Sequence, residues 1–361
     1  MPRIDDFLTA MMELDGSDLH LCVGLPPKIR IHGELEELDE PALTTEDMEG
    51  VLKEICPPEK WEFFLENRDL DYAYEIRDVA RFRTNYFFNH FGMGCICRII
   101  PTKIKTLEDL HLPQVLKEIC EYTSGLALVT GPTGSGKSTT LAAMIDYINV
   151  NHHKHIITIE DPIEFVHMNK QSIIVQREVG SDTETFGAAL RGSMRADPDI
   201  VLVGEMRDLE TISLALSCAA MGLLVFGTLH TNNAPKTVDR IIDAFPADEQ
   251  PQMRAMLAQS LKAVVSQLLC RTADGKGRAA VHEILLYHES LGSTIREGNI
   301  PNIRTIIEGN RARGMKTMDS DLLRLLNDDV ITPLEAYMKA SVKEDLEQFI
   351  DKSELAEVMN D

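Results

Sequence analysis

The chain has 361 residues, a formal charge of −22, and 44% hydrophobic against 26% charged residues, a composition of foldable globular chains at a length that fits about two domains. So acidic a surface offers no general basic field for a phosphate backbone, which argues against a nucleic-acid partner. Residues 1–16 lack the basic-then-apolar order of a signal peptide. The longest mostly apolar run, Leu214 to Leu229, is interrupted by Ser217, Gly222, Gly227 and Thr228 and falls short of the ~20 residues a membrane span needs, so it reads as buried core in a chain without a transmembrane segment.

In chain order, apolar spacing predicts helices over Ile4 to Leu14 and over Thr45 to Leu65, the second interrupted at Pro57-Pro58 because proline cannot continue a helix interior. Between residues 17 and 100 short alternating runs, such as Lys28-Ile29-Arg30-Ile31-His32 and Arg81 to Tyr86, predict a half-exposed antiparallel sheet, giving an α+β first domain over 1–100. Pro101 to about 115 reads as a connector. Beyond it the pattern changes to continuous apolar strands at Leu126–Val129, Ile156–Ile159, Ile200–Val203 and Leu224–Phe226, separated by helical segments. Such runs suit a parallel sheet covered on both faces, hence an α/β domain over 116–289. From residue 290 to 361 the spacing is helical, at Leu322, Leu323, Leu325 and Leu326 and again at Leu346, Phe349 and Ile350, and the acid-rich end reads as a solvated helix face.

Seven cysteines form an odd set with no C-x-x-C pair, which argues against a disulfide framework or thiolate zinc site and suits a reducing cytoplasm. Cys95 and Cys97, spaced to share one strand face, read as small buried hydrophobes. His152, His153 and His155 read as a solvated turn, so no structural metal is assigned.

Gly131-Pro-Thr-Gly-Ser-Gly-Lys-Ser138 satisfies G-x-x-x-x-G-K-[ST], follows the apolar strand ending at Val129, and opens a helix with apolar residues Leu141, Met144, Ile145 and Ile148. That context predicts a nucleoside triphosphate site. Gly131, Thr133, Gly134, Ser135, Gly136 and Thr139 wrap the phosphates, Lys137 reaches the β/γ-phosphates, and the Ser138 hydroxyl ligates Mg²⁺. Ile200-Val-Leu-Val-Gly-Glu205 is a strand ending in a carboxylate, which places Glu205 to organise the metal and its waters. Glu160, after the strand at 156–159, is either the residue that polarises an attacking water or a helix-capping carboxylate before Pro162. His230 is either a γ-phosphate sensor or a satisfied loop histidine. Arg81, Arg83, Arg98, Arg191 and Arg195 are either transition-state guanidiniums or surface ion pairs.

Ile157-Thr-Ile-Glu-Asp-Pro-Ile-Glu164, Gln176-Arg-Glu-Val-Gly180, Ala189 through Asp208, and Gly227-Thr-Leu-His-Thr-Asn232 form a set of four stretches. Together they resemble the secretion ATPase superfamily, and within it the PilT family of type IV pilus retraction motors. Gly16-Ser-Asp-Leu-His-Leu21, Pro27 to Gly33 and Arg81 to Asn85 resemble the family's PAS-like amino-terminal domain. The resemblance implies a RecA-like P-loop ATPase core, with Glu160 in the acidic box that supplies the catalytic glutamate, Glu205 in an atypical Walker B, and His230 in the histidine box. It also implies ATP and Mg²⁺, and a cytoplasmic homo-hexamer at the inner face of the membrane, meeting the platform protein of the pilus machine. Arg83 and Arg98 would approach ATP as the amino-terminal domain moves.

Two departures stand out. Met221-Gly-Leu-Leu224 replaces the family's usual Thr-Gly-His-Leu, and only Leu291-Gly-Ser-Thr-Ile-Arg-Glu297 stands where retraction motors usually carry a longer element. A PilU-like accessory motor or a pilus-assembly or secretion ATPase is the alternative, although the tetracysteine insert usual in assembly types is missing. A regulatory GTPase would need Asn-Lys-x-Asp, and Asn169-Lys-Gln-Ser172 lacks the aspartate. A non-hydrolysing scaffold is opposed by the two placed carboxylates.

Overall fold

The computed structural model describes residues 2–31, 34–77, 79–100 and 103–350. The chain divides into two compact units, one formed by residues 1–103 with 162–166 and the other by 104–161 with 167–361.

The first unit begins with helix α1 (Arg3–Glu13), followed by strands β1 (Asp18–Cys22), β2 (Lys28–Ile31) and β3 (Glu34–Glu37). Helices α2 (Thr45–Ile55) and α3 (Pro58–Asn67) come next, then the meander β4 (Asp69–Ile76), β5 (Ala80–Asn89) and β6 (Gly92–Ile100). The break between α2 and α3 falls at the expected prolines. Thr44 caps α2 through a reciprocal capping box with Asp47, while Pro58 occupies the first turn of α3, where a missing N–H costs nothing. The six strands form one antiparallel sheet in the order β3-β2-β1-β6-β5-β4. Its apolar positions, among them Leu19, Leu21, Phe82, Tyr86, Cys95 and Cys97, bury against the three helices, so the alternating residues of β5 and β6 face the other way. Cys95 and Cys97 sit fully buried with their sulfurs 3.4 Å apart as free thiols. His32, Gly33, Pro101 and Thr102, which belong to runs read above, lie outside the described residues.

The second unit opens with α4 (Val115–Cys120), β7 (Gly125–Thr130), α5 (Lys137–Asn151), β8 (His155–Glu160), β9 (Ile173–Glu178), α6 (Phe186–Ser193), β10 (Ile200–Val203), α7 (Leu209–Ala220) and β11 (Leu224–Leu229). It continues through α8 (Ala234–Asp243), α9 (Gln250–Ser260), β12 (Leu261–Arg271) and β13 (Arg278–Leu286) to α10 (Glu289–Glu297), α11 (Asn302–Gly309), α12 (Met318–Asn327) and α13 (Pro333–Lys339). Seven strands form a sheet in the order β13-β12-β7-β11-β10-β8-β9, parallel except for β13. The four strands expected from their apolar runs are its centre, and β7, β10 and β11 are buried at every position.

Three features depart from the expected pattern. The apolar run 214–229 is split by an exposed turn at Met221, because α7 must end before β11 re-enters the sheet. The β12–β13 hairpin extends the sheet where no strand was read, and α12 packs on β13, with Leu322, Leu325 and Leu326 joining Cys270 and Val281 in a satellite core. Leu346 and Ile350 are buried there too, but around a single 3₁₀ turn, Glu347–Phe349, rather than the expected helix. The acidic tail from 351 lies outside the described residues. No helix among the described residues is long and apolar enough to cross a membrane.

Candidate active site

β7 ends at Thr130 and the chain turns at once into the loop Gly131–Gly136, from which α5 starts. Gly131 approaches β12 so closely that an added Cβ would meet the Gln267 carbonyl oxygen at 2.2 Å, and its φ of +147° suits glycine. The Lys137 ammonium lies within the loop and donates to the carbonyls of Gly131 at 2.9 Å and Pro132 at 3.0 Å. Ser138 and Thr139 occupy the first turn of α5, where backbone N–H groups have no helical acceptor.

Sheet register decides what stands beside this loop. Leu229 of β11 pairs with Thr130 of β7, Val203 of β10 pairs with Gly227 of β11, and Ile159 of β8 pairs with Val203. The strands are parallel, so His230, Glu205 and Glu160 all emerge at the same carboxyl edge as the loop. Gly204 keeps the acidic pair close, for a Cβ there would lie 3.3 Å from the Glu160 Cα.

Oε1 of Glu205 accepts from Nε2 of His230 at 2.9 Å and from Nε of Arg207 at 2.5 Å. An ionised carboxylate only accepts, so the ring proton of His230 is on Nε2. Burial pushes the Glu205 carboxyl up, but Arg207 and His230 outweigh it and hold it below the usual carboxylate range. Oε1 of Glu160 accepts from Thr158 Oγ1 at 2.6 Å and from Gln176 Nε2 at 3.2 Å. No helix follows Glu160, since the chain from Asp161 to Gln171 is irregular, so the capping alternative falls away.

A cavity of about 430 Å³ adjoins the loop at Pro132, Thr133 and Gly134, with Leu268, Leu269, Arg271, Arg278 and Lys339 among its other walls. Sequence reasoning missed this wall because it belongs to the unpredicted hairpin. It also missed Thr158, Gln176 and Arg207, the partners that orient the two carboxylates. Their signal was present, a threonine two residues before Glu160 on one strand face and an arginine two after Glu205.

Arg83 and Arg98 belong to the other unit. They are direct cross-strand partners of β5 and β6 on the outward face, an arrangement that like charges oppose. Asp18 relieves it: its side chain is 6% exposed, 2.6 Å from Arg98 Nε and 4.0 Å from Arg30 Nε, and Asp71 lies 3.6 Å from Arg83. Burial raises the Asp18 carboxyl, but Ser17 and Arg98 pull it below its ordinary value. Arg191 pairs with Glu210. The three histidines are scattered, His152 to Glu121, His153 to the Gln171 carbonyl and His155 to the Asp197 carbonyl.

The arrangement suits a nucleoside triphosphate with its metal. Backbone donors and Lys137 can take phosphate oxygens, Ser138 and an ionised Glu205 can take Mg²⁺, and a second oriented carboxylate stands beside them. Residues 105–327 match the model of the type II/IV secretion system protein family. The type IV pilus retraction ATPase PilT of Pseudomonas aeruginosa is 45% identical over 341 residues, 94% of this chain and 99% of its own. The type IV pilus ATPase PilU of the same organism is 38% identical across 96% of this chain and 91% of its own. The crystal structure of the pilus retraction motor PilT with bound ADP aligns with a TM-score of 0.89 at 41% identity, covering 95% of this chain and 98% of that one. The chain therefore belongs to the type II/IV secretion system protein family, among its type IV pilus retraction ATPases.

Proposed function

We propose that this chain is a Mg²⁺-dependent ATP hydrolase whose turnover drives retraction of type IV pili and so twitching. The observation that carries the reading is the shared carboxyl edge of β7, β11, β10 and β8, which gathers the loop 131–138, His230, Glu205 and Glu160. The P-loop amides, with Thr133, Gly134, Ser135, Gly136 and Thr139 around them, hold the phosphates, and Lys137 leaves its carbonyl partners for the β/γ-oxygens. Mg²⁺, when bound, neutralises charge on those oxygens. Ser138 and Glu205 would hold it, the Glu205 carboxylate being oriented through Oε1 by Arg207 and His230. Glu160, turned by Thr158 and Gln176, orients the attacking water, and His230 reads the γ-phosphate position through Glu205. The cavity beside the loop receives the nucleoside.

Assignment to retraction rests on the names and near-complete overlap of the relatives, with the identity to PilT above that to PilU. On this reading residues 1–100 form a PAS-like domain joined by 101–115 to a RecA-like domain over 116–289, with a helical region beyond. The working unit is a cytoplasmic homo-hexamer seated on the membrane platform protein, in which Arg83 and Arg98 exchange their carboxylates for ATP phosphates. An accessory, PilU-like motor is the second reading. Phosphate release from Mg·ATP tests the enzyme: Glu160→Ala should bind ATP and lose turnover by ~10²–10⁴-fold. A Glu160→Ala enzyme with normal turnover removes Glu160 from its role, and a silent wild type favours a nucleotide-sensing scaffold.

A further inference from the structure

Gln267 lies in the middle of β12, 2% exposed, and every polar atom of its side chain is engaged. Its Nε2 donates to the Ser135 carbonyl at 2.7 Å, at the centre of the phosphate loop. Its Oε1 accepts from the Thr140 hydroxyl at 2.7 Å, one turn into α5, and faces Nε2 of His282 at 3.2 Å. A carbonyl can only accept, so Ser135 fixes the amide's orientation, and Oε1 must then receive the proton of His282 Nε2. The main chain of the same residue is the wall against which Gly131 packs, and a Cβ on Gly136 would meet its Nε2 at 2.8 Å. One residue therefore touches the start, middle and end of the loop.

The contacts continue outward. The backbone N–H of His282 donates to Asp321 Oδ2 at 2.9 Å, and this fully buried carboxylate is paired with Lys316 at 2.7 Å and Arg324 at 2.9 Å. Asp321 is on α12, so a buried polar chain runs from the phosphate loop across β12 and β13 into the carboxyl-terminal helices. The neighbouring strand residue Ser266 is likewise bonded to Thr130, 2.8 Å away, at the loop's entrance. Buried polar atoms persist in a core only when satisfied, and these are satisfied only if β12, β13, α12 and the loop keep one mutual setting.

We infer that Gln267 is the positioning residue of the phosphate loop, and that His282 and Asp321 tie its setting to helix α12. Gln267 touches no substrate; it acts by holding the Ser135 peptide and the first turn of α5 at the spacing phosphates require. The inference rests on the proposed nucleotide site and adds a route by which movement of the carboxyl-terminal helices changes phosphate affinity.

The test compares binding of Mg·ADP and of adenosine to the purified chain, for wild type, Gln267→Leu, His282→Phe, the double variant and Lys137→Ala. Gln267→Leu should weaken ADP tenfold or more and adenosine by less than threefold, since the loop's N–H donors meet phosphate oxygens whereas the nucleoside only lies against its Pro132–Gly134 edge. His282→Phe should weaken ADP less, and the double variant no more than Gln267→Leu alone, because the two act in series. Thr140→Val, which removes one hydrogen bond at the helix end, provides the same comparison should Gln267→Leu fail to fold. Equal losses for ADP and adenosine, or additive losses in the double variant, overturn the inference. If Lys137→Ala itself leaves ADP binding intact, the nucleotide-site reading fails instead.

Discussion

Replacing Gly131 by alanine separates steric design from backbone freedom. The new methyl would sit 2.2 Å from the Gln267 carbonyl oxygen and 2.6 Å from Ser135 Oγ, at a φ of +147°. A strained φ costs ~1–3 kcal/mol and overpacking another ~1–3 kcal/mol, less ~0.5 kcal/mol gained by stiffening the unfolded chain, or about 3.5 kcal/mol together. Gly134→Ala is the control: its φ is +77° and nothing lies within 4 Å of the new methyl. It should cost only ~1–2 kcal/mol. The Gly131 penalty can appear in two ways. Either the second unit is destabilised, or the loop swings off β12, stability is kept, and ADP affinity falls by up to ~10³-fold at 1.4 kcal/mol per decade. Chemical denaturation and ADP titration of both variants measure the two losses. Should the summed loss for Gly131→Ala match that for Gly134→Ala within ~1 kcal/mol, the contact between the loop and β12 does not have the role assigned to it.

His282 predicts a pH effect. Burial pushes its imidazole down to about 3, beside Lys316, Asp321 and Arg324. Below pH 6.5 the unfolded chain takes up a proton the folded chain refuses, so stability falls as pH drops through that window and is unaffected above it. Between pH 8 and 5 the loss is ~2 kcal/mol, and His282→Phe should remove that much of the acid limb in unfolding titrations. An unchanged limb would mean that the imidazole titrates normally in the fold. Glu205→Gln keeps the shape but not the charge that meets Arg207 and His230. Its Mg²⁺ requirement for ATP turnover should rise about tenfold or more in a metal titration, the loss of roughly one charge-assisted contact. An unaltered Mg²⁺ dependence would take Glu205 out of the metal site.

The parts of the site that were legible from sequence are those encoded locally. A P-loop needs its strand, glycines and helix within one short stretch, and the four apolar strands announced a parallel sheet whose register then brought Glu160, Glu205 and His230 together. What was illegible depends on distant partners. β12 carries Ser266 and Gln267 inside an apolar run, so it follows neither a strict two-residue alternation nor a helical period, and their partners lie 136 and 127 residues away in Thr130 and Thr140. The carboxylates that hold Arg98 and Arg83 belong to other strands, so the arginines alone could not reveal whether they were paired. The carboxyl-terminal pattern at 346–350 came from burial of Leu346 and Ile350, which a single 3₁₀ turn achieves as well as a helix.

The central claim, that hydrolysis at the carboxyl edge of this sheet withdraws pili, is tested most directly in the source cell. Surface pili and twitching would be recorded in a strain deleted for this chain and then supplied with wild type or with Lys137→Ala. The account predicts more pili without movement after deletion, recovery with wild type, and none with Lys137→Ala. Bald cells after deletion, or twitching restored by Lys137→Ala, would contradict it.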